Sequence, residues 1–449
     1  MIETPLAAVI LAAGKGTRMK SALHKVLHPI AGRSMLGHLL AAVDALGAER
    51  RVVVVGAEAE QVEAYAAPLG VQVAHQTEQL GTGHAVLQAA EALSGFDGDV
   101  LVLYGDVPLV SDETMARMVA RLHDVDAPAV VVLGFRPADA LSYGRVIAEG
   151  GAIHRMVEHK DASAAERAET LCNSGLMAVR AADLWPLLRR VGNANAAGEY
   201  YLPDIVMLAI ADGRAATVIE ADPAEVAGVN SRAELGEVEA LWQARRRERA
   251  MAEGASLIAP DTVWFAWDTQ VGRDVTIGPN VVFGPGATVA DRVTIHAFSH
   301  IEGARIDPDA VVGPFARLRP GAEVGEGAHV GNFVEMKKAR LGAGAKANHL
   351  TYLGDADIGA GSNIGAGTIT CNYDGFGKYP TRIGAGAFIG SNSALVAPVT
   401  IGDGAIVAAG SVVTRDVAPD ALALARGRQE ERFGWAATFR QRMRARRKD

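Results

Sequence analysis

A glycine-rich turn follows the first apolar run of the chain: Leu11-Ala12-Ala13-Gly14-Lys15-Gly16-Thr17-Arg18-Met19. Small residues let backbone amides approach a ligand closely, and Lys15 and Arg18 add positive charge. Such a turn at a strand end suits phosphate. It is not a Walker A loop, and Met19 stands where a dinucleotide fingerprint has its third glycine. Asp106, just after another apolar run, is a hard oxygen donor suited to Mg2+, which takes few protein ligands. In the other half of the chain, Arg319 and Lys337 lie 18 residues apart, with His349 close behind. Two stacked cations can clamp a phosphate. An imidazole, with a reference pKa of about 6.5, can serve as a general base near neutrality.

The elements that must position these residues differ between the halves. Residues 271–413 hold 25 of the 50 glycines, and an aliphatic residue recurs every six positions, often followed by glycine. The series runs from Val271 and Ile277 to Val407 and Val413, with one-residue slips at Ile306, Leu341 and Ile358 and an interruption before Ile383. A fixed period over this length marks a solenoid. One short strand and a turn per hexad, three hexads per coil, give a triangular parallel β-helix with the aliphatic residue inward. Arg319 and Lys337 each follow an inward residue and stack one strand spacing apart, about 4.8 Å. The residues two after Ala347, Ile364, Ile389 and Val407 are His349, Ala366, Ser391 and Ala409. They should form a column about 14 Å long, provided that 371–382 is a loop that leaves the register intact. A thin groove of small residues with a histidine at one end suits an extended acyl-carrying arm.

Residues 1–229 alternate strand-like runs (6–11, 51–55, 100–104, 129–133) with helix-like ones (34–46, 112–122), which implies an α/β domain with a mostly parallel sheet. Ser231-Arg-Ala-Glu234 reads as a capping box, with Leu235, Val238, Leu241 and Trp242 following at helical spacing. A linking helix is predicted over 231–252. The basic end, 440–448, reads as a solvated, unstructured tail. The net charge of −8 argues against nucleic-acid binding. No apolar run reaches about 18 residues, so no membrane-inserted span is expected, and the N-terminus does not read as a signal peptide. Cys172 and Cys371 are widely separated, which fits a reducing cytoplasm and excludes a thiolate zinc cage.

The run 11–19, then Lys25-Val-Leu, Gln79-Leu-Gly-Thr-Gly-His-Ala85, Tyr104-Gly-Asp-Val-Pro108 and Glu158-His-Lys-Asp161, resembles the sugar-1-phosphate nucleotidyltransferases. With the hexads, His349-Leu-Thr-Tyr-Leu-Gly-Asp355 and the run 364–375, the chain to about residue 428 is similar to bacterial bifunctional uridyltransferase–acetyltransferases. The resemblance implies a Rossmann-like nucleotidyltransferase domain over 1–229, a linker helix over 230–252, and a left-handed parallel β-helix acetyltransferase domain with its tail over 253–449. It implies acetylation of glucosamine-1-phosphate by acetyl-CoA. UMP then passes from UTP to N-acetylglucosamine-1-phosphate with Mg2+, releasing pyrophosphate. It further implies a cytoplasmic homotrimer, with acetyl sites at subunit boundaries, supplying cell-envelope polysaccharides.

Matched residue by residue, Arg18 and Lys25 hold phosphates, while Asp106 and Asn230 ligate Mg2+. Leu11, Ala12, Ala13, Gly14, Gln76, Gly81 and Thr82 read uridine, and Tyr104 and Gly105 adjoin them. Gly144, Glu158 and Asn173 form the sugar pocket. In the second half His349 is the base, Asn363 and Tyr352 position the amine or stabilise an oxyanion, and Arg319, Lys337 and Lys378 hold the sugar phosphate. Ala366, Asn372, Tyr373, Ser391, Ala409 and Arg426 contact acetyl-CoA. Two departures are small: Cys-Asn173-Ser-Gly stands where the family has Asn-Thr-Gly, and Asn348 where it has Gly. Cys371 could suggest an acyl-cysteine, but direct attack is expected. A β-helix alone could serve only as a trimerisation stalk, and a sugar-nucleotide sensor without turnover is a second alternative. His349, Arg319 and Lys337 argue against the first, and Asp106 and Lys25 against the second.

Overall fold

The computed structural model describes residues 4–447 apart from 15, 57–58 and 141, so Lys15 lies outside the described residues. The chain divides into two compact units, Met1–Arg246 and Arg247–Asp449.

The first unit is built on a nine-stranded sheet. Its strands are β1 (Leu6–Ala12), β2 (Arg50–Val55), β3 (Gln72–His75), β4 (Asp99–Tyr104), β5 (Val130–Phe135), β6 (Arg145–Glu149), β7 (Ala152–Val157), β8 (Cys172–Arg180) and β9 (Ala216–Glu220). Their order is β3-β2-β1-β4-β8-β5-β9-β7-β6. Strands β1 to β4 pair in parallel, whereas β8 runs antiparallel to β4 and β5. The sheet is buried on both faces, so β1 is apolar throughout: Ala7, Val9 and Leu11 enter one core, Leu6, Ala8, Ile10 and Ala12 the other. The glycine-rich turn and Asp106 therefore leave the carboxyl ends of the adjacent strands β1 and β4, where open α/β sheets bind ligands. Helix α1 (Met35–Ala45) begins at Ser34, whose hydroxyl accepts from the Gly37 N–H.

Helix α2 (Arg232–Ala252) begins after Ser231, whose hydroxyl accepts from the Glu234 N–H at 3.3 Å, one half of the expected capping box. The division between the units falls inside it, because Leu235, Val238, Leu241 and Trp242 pack on Met19, Ile30 and Met35 of the first unit.

The second unit is a parallel coil of short strands. Val271 pairs with Val289 and then Ile306, Ile277 with Ile295 and Val312, and Phe283 with Ile301 and Leu318. The ladder continues to Ile401, Val407 and Val413. These inward residues are at most a few per cent exposed, apart from Val271 at the edge. Each slip is a corner shortened by one residue, and Gly303, Lys338 and Asp355 take left-handed backbone there (φ 53, 46 and 46°). The interruption leaves the register intact: Ile383 stacks on Ile358 and Thr370 on Leu395. Residues 440–448 read as an unstructured tail, but helix α3 (Trp435–Ala445) forms there. Trp435 and Phe439, one helical turn apart, stack at 5.2 Å, and the helix stays exposed throughout. Among the described residues, no helix is long and apolar enough to cross a membrane.

Candidate functional site

Lys25 rides on a short 3-10 turn after the glycine-rich loop. A Cβ on Gly16 would lie 2.7 Å from Lys25 Cβ, so that glycine lets the lysine stem pack close. The Lys25 ammonium donates to Asp106 Oδ2 at 2.5 Å and to Asn230 Oδ1 at 2.7 Å. The lysine side chain is only 11% exposed. Glu234 fixes Asn230 from behind: its Oε2 accepts from the Asn230 N–H at 2.6 Å and from the Ser231 hydroxyl at 3.2 Å. The cap of α2 thus doubles as a clamp on a site residue. Arg18 is exposed on a separate 3-10 turn, Thr17–Met19. Gly105 bonds β1 through the Leu11 carbonyl (2.9 Å), and a Cβ there would press on Val26 and that carbonyl.

Gln76 donates its side-chain amide to the Gly81 carbonyl at 3.0 Å, which shapes the turn that carries Thr82. Gln79, which opens a motif quoted above but has no role assigned there, donates to the Ala13 carbonyl at 2.6 Å and ties that turn to the glycine-rich loop. Beside it lies a cavity of about 310 Å3 whose lining includes Gly144, Glu158, Asn173, Asp161, Tyr201 and Asp204. Asn173 is held by its own turn, its Oδ1 accepting from the Gly175 N–H at 2.9 Å. Burial, and then the Asp204 and Asp161 charges, raise the Glu158 carboxyl above its usual range. Burial, and then Asp161, do the same to Asp204. Burial chiefly raises the Tyr104 phenol, so it stays neutral.

If the Glu158 carboxylate accepts ligand hydroxyls, affinity for a hydroxylated ligand in this cavity should rise with pH through that raised range. Asp204→Asn removes the largest neighbouring charge and should move this rise to lower pH. An unmoved pH profile in the variant would show that Asp204 does not act on Glu158.

On the coil, Arg319, Lys337 and Lys378 do come together. Leu318 pairs with Met336, which stacks the residues that follow them. The Lys378 side chain, hydrogen-bonded to Lys337, and then Arg319 hold the Lys337 ammonium below its usual value. Glu335, not anticipated from sequence, donates no proton but accepts from Arg319 Nη1 at 2.8 Å. Three cations and one carboxylate leave this face with an excess of positive charge. Tyr352 lies on the same face, its backbone opposite Glu335.

The column is present as well. Ala347, Ile364, Ile389 and Val407 pair in succession, and backbone bonds link His349 to Gly367, Ala366 to Asn392 and Ser391 to Gly410. Arg426 Nη1 donates to the Ala409 carbonyl at 2.6 Å, at the far end of the column from His349. His349 Nδ1 meets Asn332 Oδ1 at 2.8 Å. Asn332 was also missed, although it obeys the column rule: it lies two residues after the inward Val330.

Asn363 is not brought to His349. It pairs with Lys346, three residues and so roughly 10 Å along the strand from His349. Asn372 is 6% exposed and donates to Asp355 Oδ2 at 2.5 Å, bracing the loop, while Tyr373 bonds within the loop to Gly375.

Residues 8–194 match the MobA-like NTP transferase domain. Residues 268–303 match the bacterial transferase hexapeptide and 380–415 the hexapeptide repeat of succinyl-transferase. The chain is 69% identical over 444 residues to the bifunctional protein GlmU of Rhizorhabdus wittichii, covering 99% of this chain and 98% of that one. It is 66% identical over 443 residues to that of Sphingopyxis alaskensis, at the same coverages. To that of Zymomonas mobilis it is 60% identical over 441 residues, covering 98% of each.

Proposed function

The chain belongs to the family of bifunctional GlmU proteins, and we propose that its two clusters act in succession on one sugar phosphate. It is a bifunctional N-acetyltransferase and uridylyltransferase. It acetylates glucosamine-1-phosphate with acetyl-CoA, then joins the product to UMP from UTP, giving UDP-N-acetylglucosamine and pyrophosphate. The observation that carries this reading is that one chain holds both clusters intact: Lys25, Asp106 and Asn230 in one unit, and His349 beside three cations in the other.

For acetyl transfer, Arg319, Lys337 and Lys378 hold the sugar phosphate, and acetyl-CoA lies along His349, Ala366, Ser391 and Ala409 with Arg426 toward its phosphates. The His349 ring takes a proton from the amine as its nitrogen attacks the thioester carbonyl. The C–S bond then breaks and the sulfur leaves with a proton as free CoA. Tyr352 shares the cation face and is placed to orient the sugar. Asn363 lies too far along the strand to serve the same chain's His349 and would serve a neighbouring copy. That separation supports a homotrimer with shared acetyl sites. An exposed ladder of Phe298, Phe315, Phe333 and Leu350 on one corner of the coil, with stacked rings at 5.0 and 5.2 Å, offers an apolar face for such packing.

For uridylyl transfer, Leu11, Ala12, Ala13, Gly14, Gln76, Gly81 and Thr82 surround the uridine, with Tyr104 and Gly105 beneath. Gly144, Glu158 and Asn173 hold the N-acetyl sugar, while Arg18 and Lys25 neutralise phosphate charge. A sugar-phosphate oxygen attacks the α-phosphorus, and pyrophosphate leaves in line. Asp106 Oδ2 and Asn230 Oδ1 already converge on one cation, the Lys25 ammonium, and that pair of hard oxygens fits Mg2+. Asp106 and Asn230 would hold Mg2+, which when bound would supply positive charge against the phosphates. Residues 1–229 form the uridyltransferase domain, 230–252 the linker and 253–449 the acetyltransferase domain. Both cysteines are free, which supports a cytoplasmic location. The partners in this reading are small molecules and further copies of the chain, with no nucleic acid and no membrane insertion.

Lys337→Ala tests the reading of the anion site. It should raise KM for glucosamine-1-phosphate about tenfold, because it removes one of the three cations that face the phosphate. KM for N-acetylglucosamine-1-phosphate in uridylyl transfer should not change. An unaltered acetylation KM would remove Lys337 from the site.

A further inference from the structure

The structure assigns Asn332 as the positioning residue that fixes which nitrogen of His349 carries the ring proton. This rests on the reading of His349 as the acetyl-transfer base.

A base needs its lone pair directed at the substrate, and a neutral imidazole has one protonated and one bare nitrogen. The partner of one nitrogen decides which is which. Here Asn332 Oδ1 lies 2.8 Å from His349 Nδ1. A carbonyl oxygen can only accept, so Nδ1 carries the hydrogen and Nε2 keeps the lone pair.

The fold makes this contact stiff. Asn332 and His349 are register partners on adjacent strands, so their backbones are held at strand spacing. The residue after each takes left-handed backbone, Phe333 at φ 56° and Leu350 at φ 50°, so both side chains leave equivalent corners of successive coils. The Thr351 hydroxyl donates to the His349 carbonyl at 2.7 Å and steadies the corner. His329 pairs with Lys346 on the same two strands, and burial, then charge on His296, Lys346 and His349, holds the His329 imidazole below its usual value. The acceptor for the ring is thus a neutral amide.

The test uses the full chain, 15N-labelled at histidine, with Asn332→Leu and Asn332→Asp. Leucine keeps the volume and removes the acceptor, whereas aspartate keeps an acceptor oxygen. Long-range 15N–1H spectra of the wild type at neutral pH should show His349 protonated at Nδ1. Asn332→Leu should lose that preference and lower kcat for acetylation about 10- to 100-fold, the range found when a partner that orients a histidine is removed. KM values for both substrates should stay within about twofold. Asn332→Asp should restore the Nδ1–H form and most of the rate. Uridylyl transfer, unchanged in both, reports that the chain is folded. An Nε2–H ring in the wild type, or full acetylation by Asn332→Leu, would overturn the assignment of Asn332 and leave the base reading standing. Full acetylation by His349→Ala would instead remove the base reading itself.

Discussion

His349→Ala should lower acetyl transfer by about 10²–10⁴-fold, the usual contribution of a positioned general base. Pyrophosphate release from supplied N-acetylglucosamine-1-phosphate and UTP should remain within twofold of the parent. The amine of the acceptor is protonated near neutrality and cannot attack until it loses a proton. Alanine offers no acceptor for that proton. His349 is exposed at a corner of the coil, while the inward Ala347 beside it holds the core contact, so the fold should survive. The uridylyl residues belong to the other compact unit, which explains the selectivity. Free thiol and pyrophosphate, measured separately, read the two activities. Retained thiol release would remove His349 as the base. Loss of both activities would show that the substitution damaged more than one site.

Asp106→Ala should reverse that pattern. Uridylyl transfer should fall about 10²–10³-fold, as when a preorganised charge partner is deleted from a site of charge development, and acetyl transfer should not change. Asp106 contributes the charged oxygen of the pair that converges on Lys25 Nζ. Without it the ammonium keeps only Asn230, and a divalent cation would keep one neutral ligand. Asp106→Asn preserves an oxygen and the shape, so it should fall between the two and need more Mg2+ for half-maximal rate. Unchanged pyrophosphate release by Asp106→Ala across a Mg2+ titration would remove Asp106 from the metal site.

The coil was readable because one position in six must point inward, and that demand repeats. The same arithmetic placed Arg319 above Lys337 and set out the column from His349 to Ala409. Carried one coil back, it also reaches Asn332, which was overlooked because its side chain looked unremarkable in isolation. The Lys25 cluster was harder. Its members are 81 and 205 residues apart in sequence, and only the sheet and the start of α2 bring them together. A capping box was visible at Ser231, but not that Glu234 would reach the Asn230 amide instead of serving the helix alone. The carboxylates around Glu158 come from separate elements, so their mutual effect needed the fold. The basic tail reads as unstructured from its charge, yet Trp435, Phe439 and Met443 recur at helical spacing and a helix forms, uncovered among the described residues.

The most direct measurement supplies the parent chain with glucosamine-1-phosphate, acetyl-CoA, UTP and Mg2+, and follows free thiol and pyrophosphate in the same reaction. Thiol release should begin at once and proceed equally without UTP. Pyrophosphate should appear after a lag and fail to appear when acetyl-CoA is withheld, unless N-acetylglucosamine-1-phosphate is added. Pyrophosphate formed from glucosamine-1-phosphate without acetyl-CoA, or thiol release that requires UTP, would contradict two transfers made in that order at two separate sites.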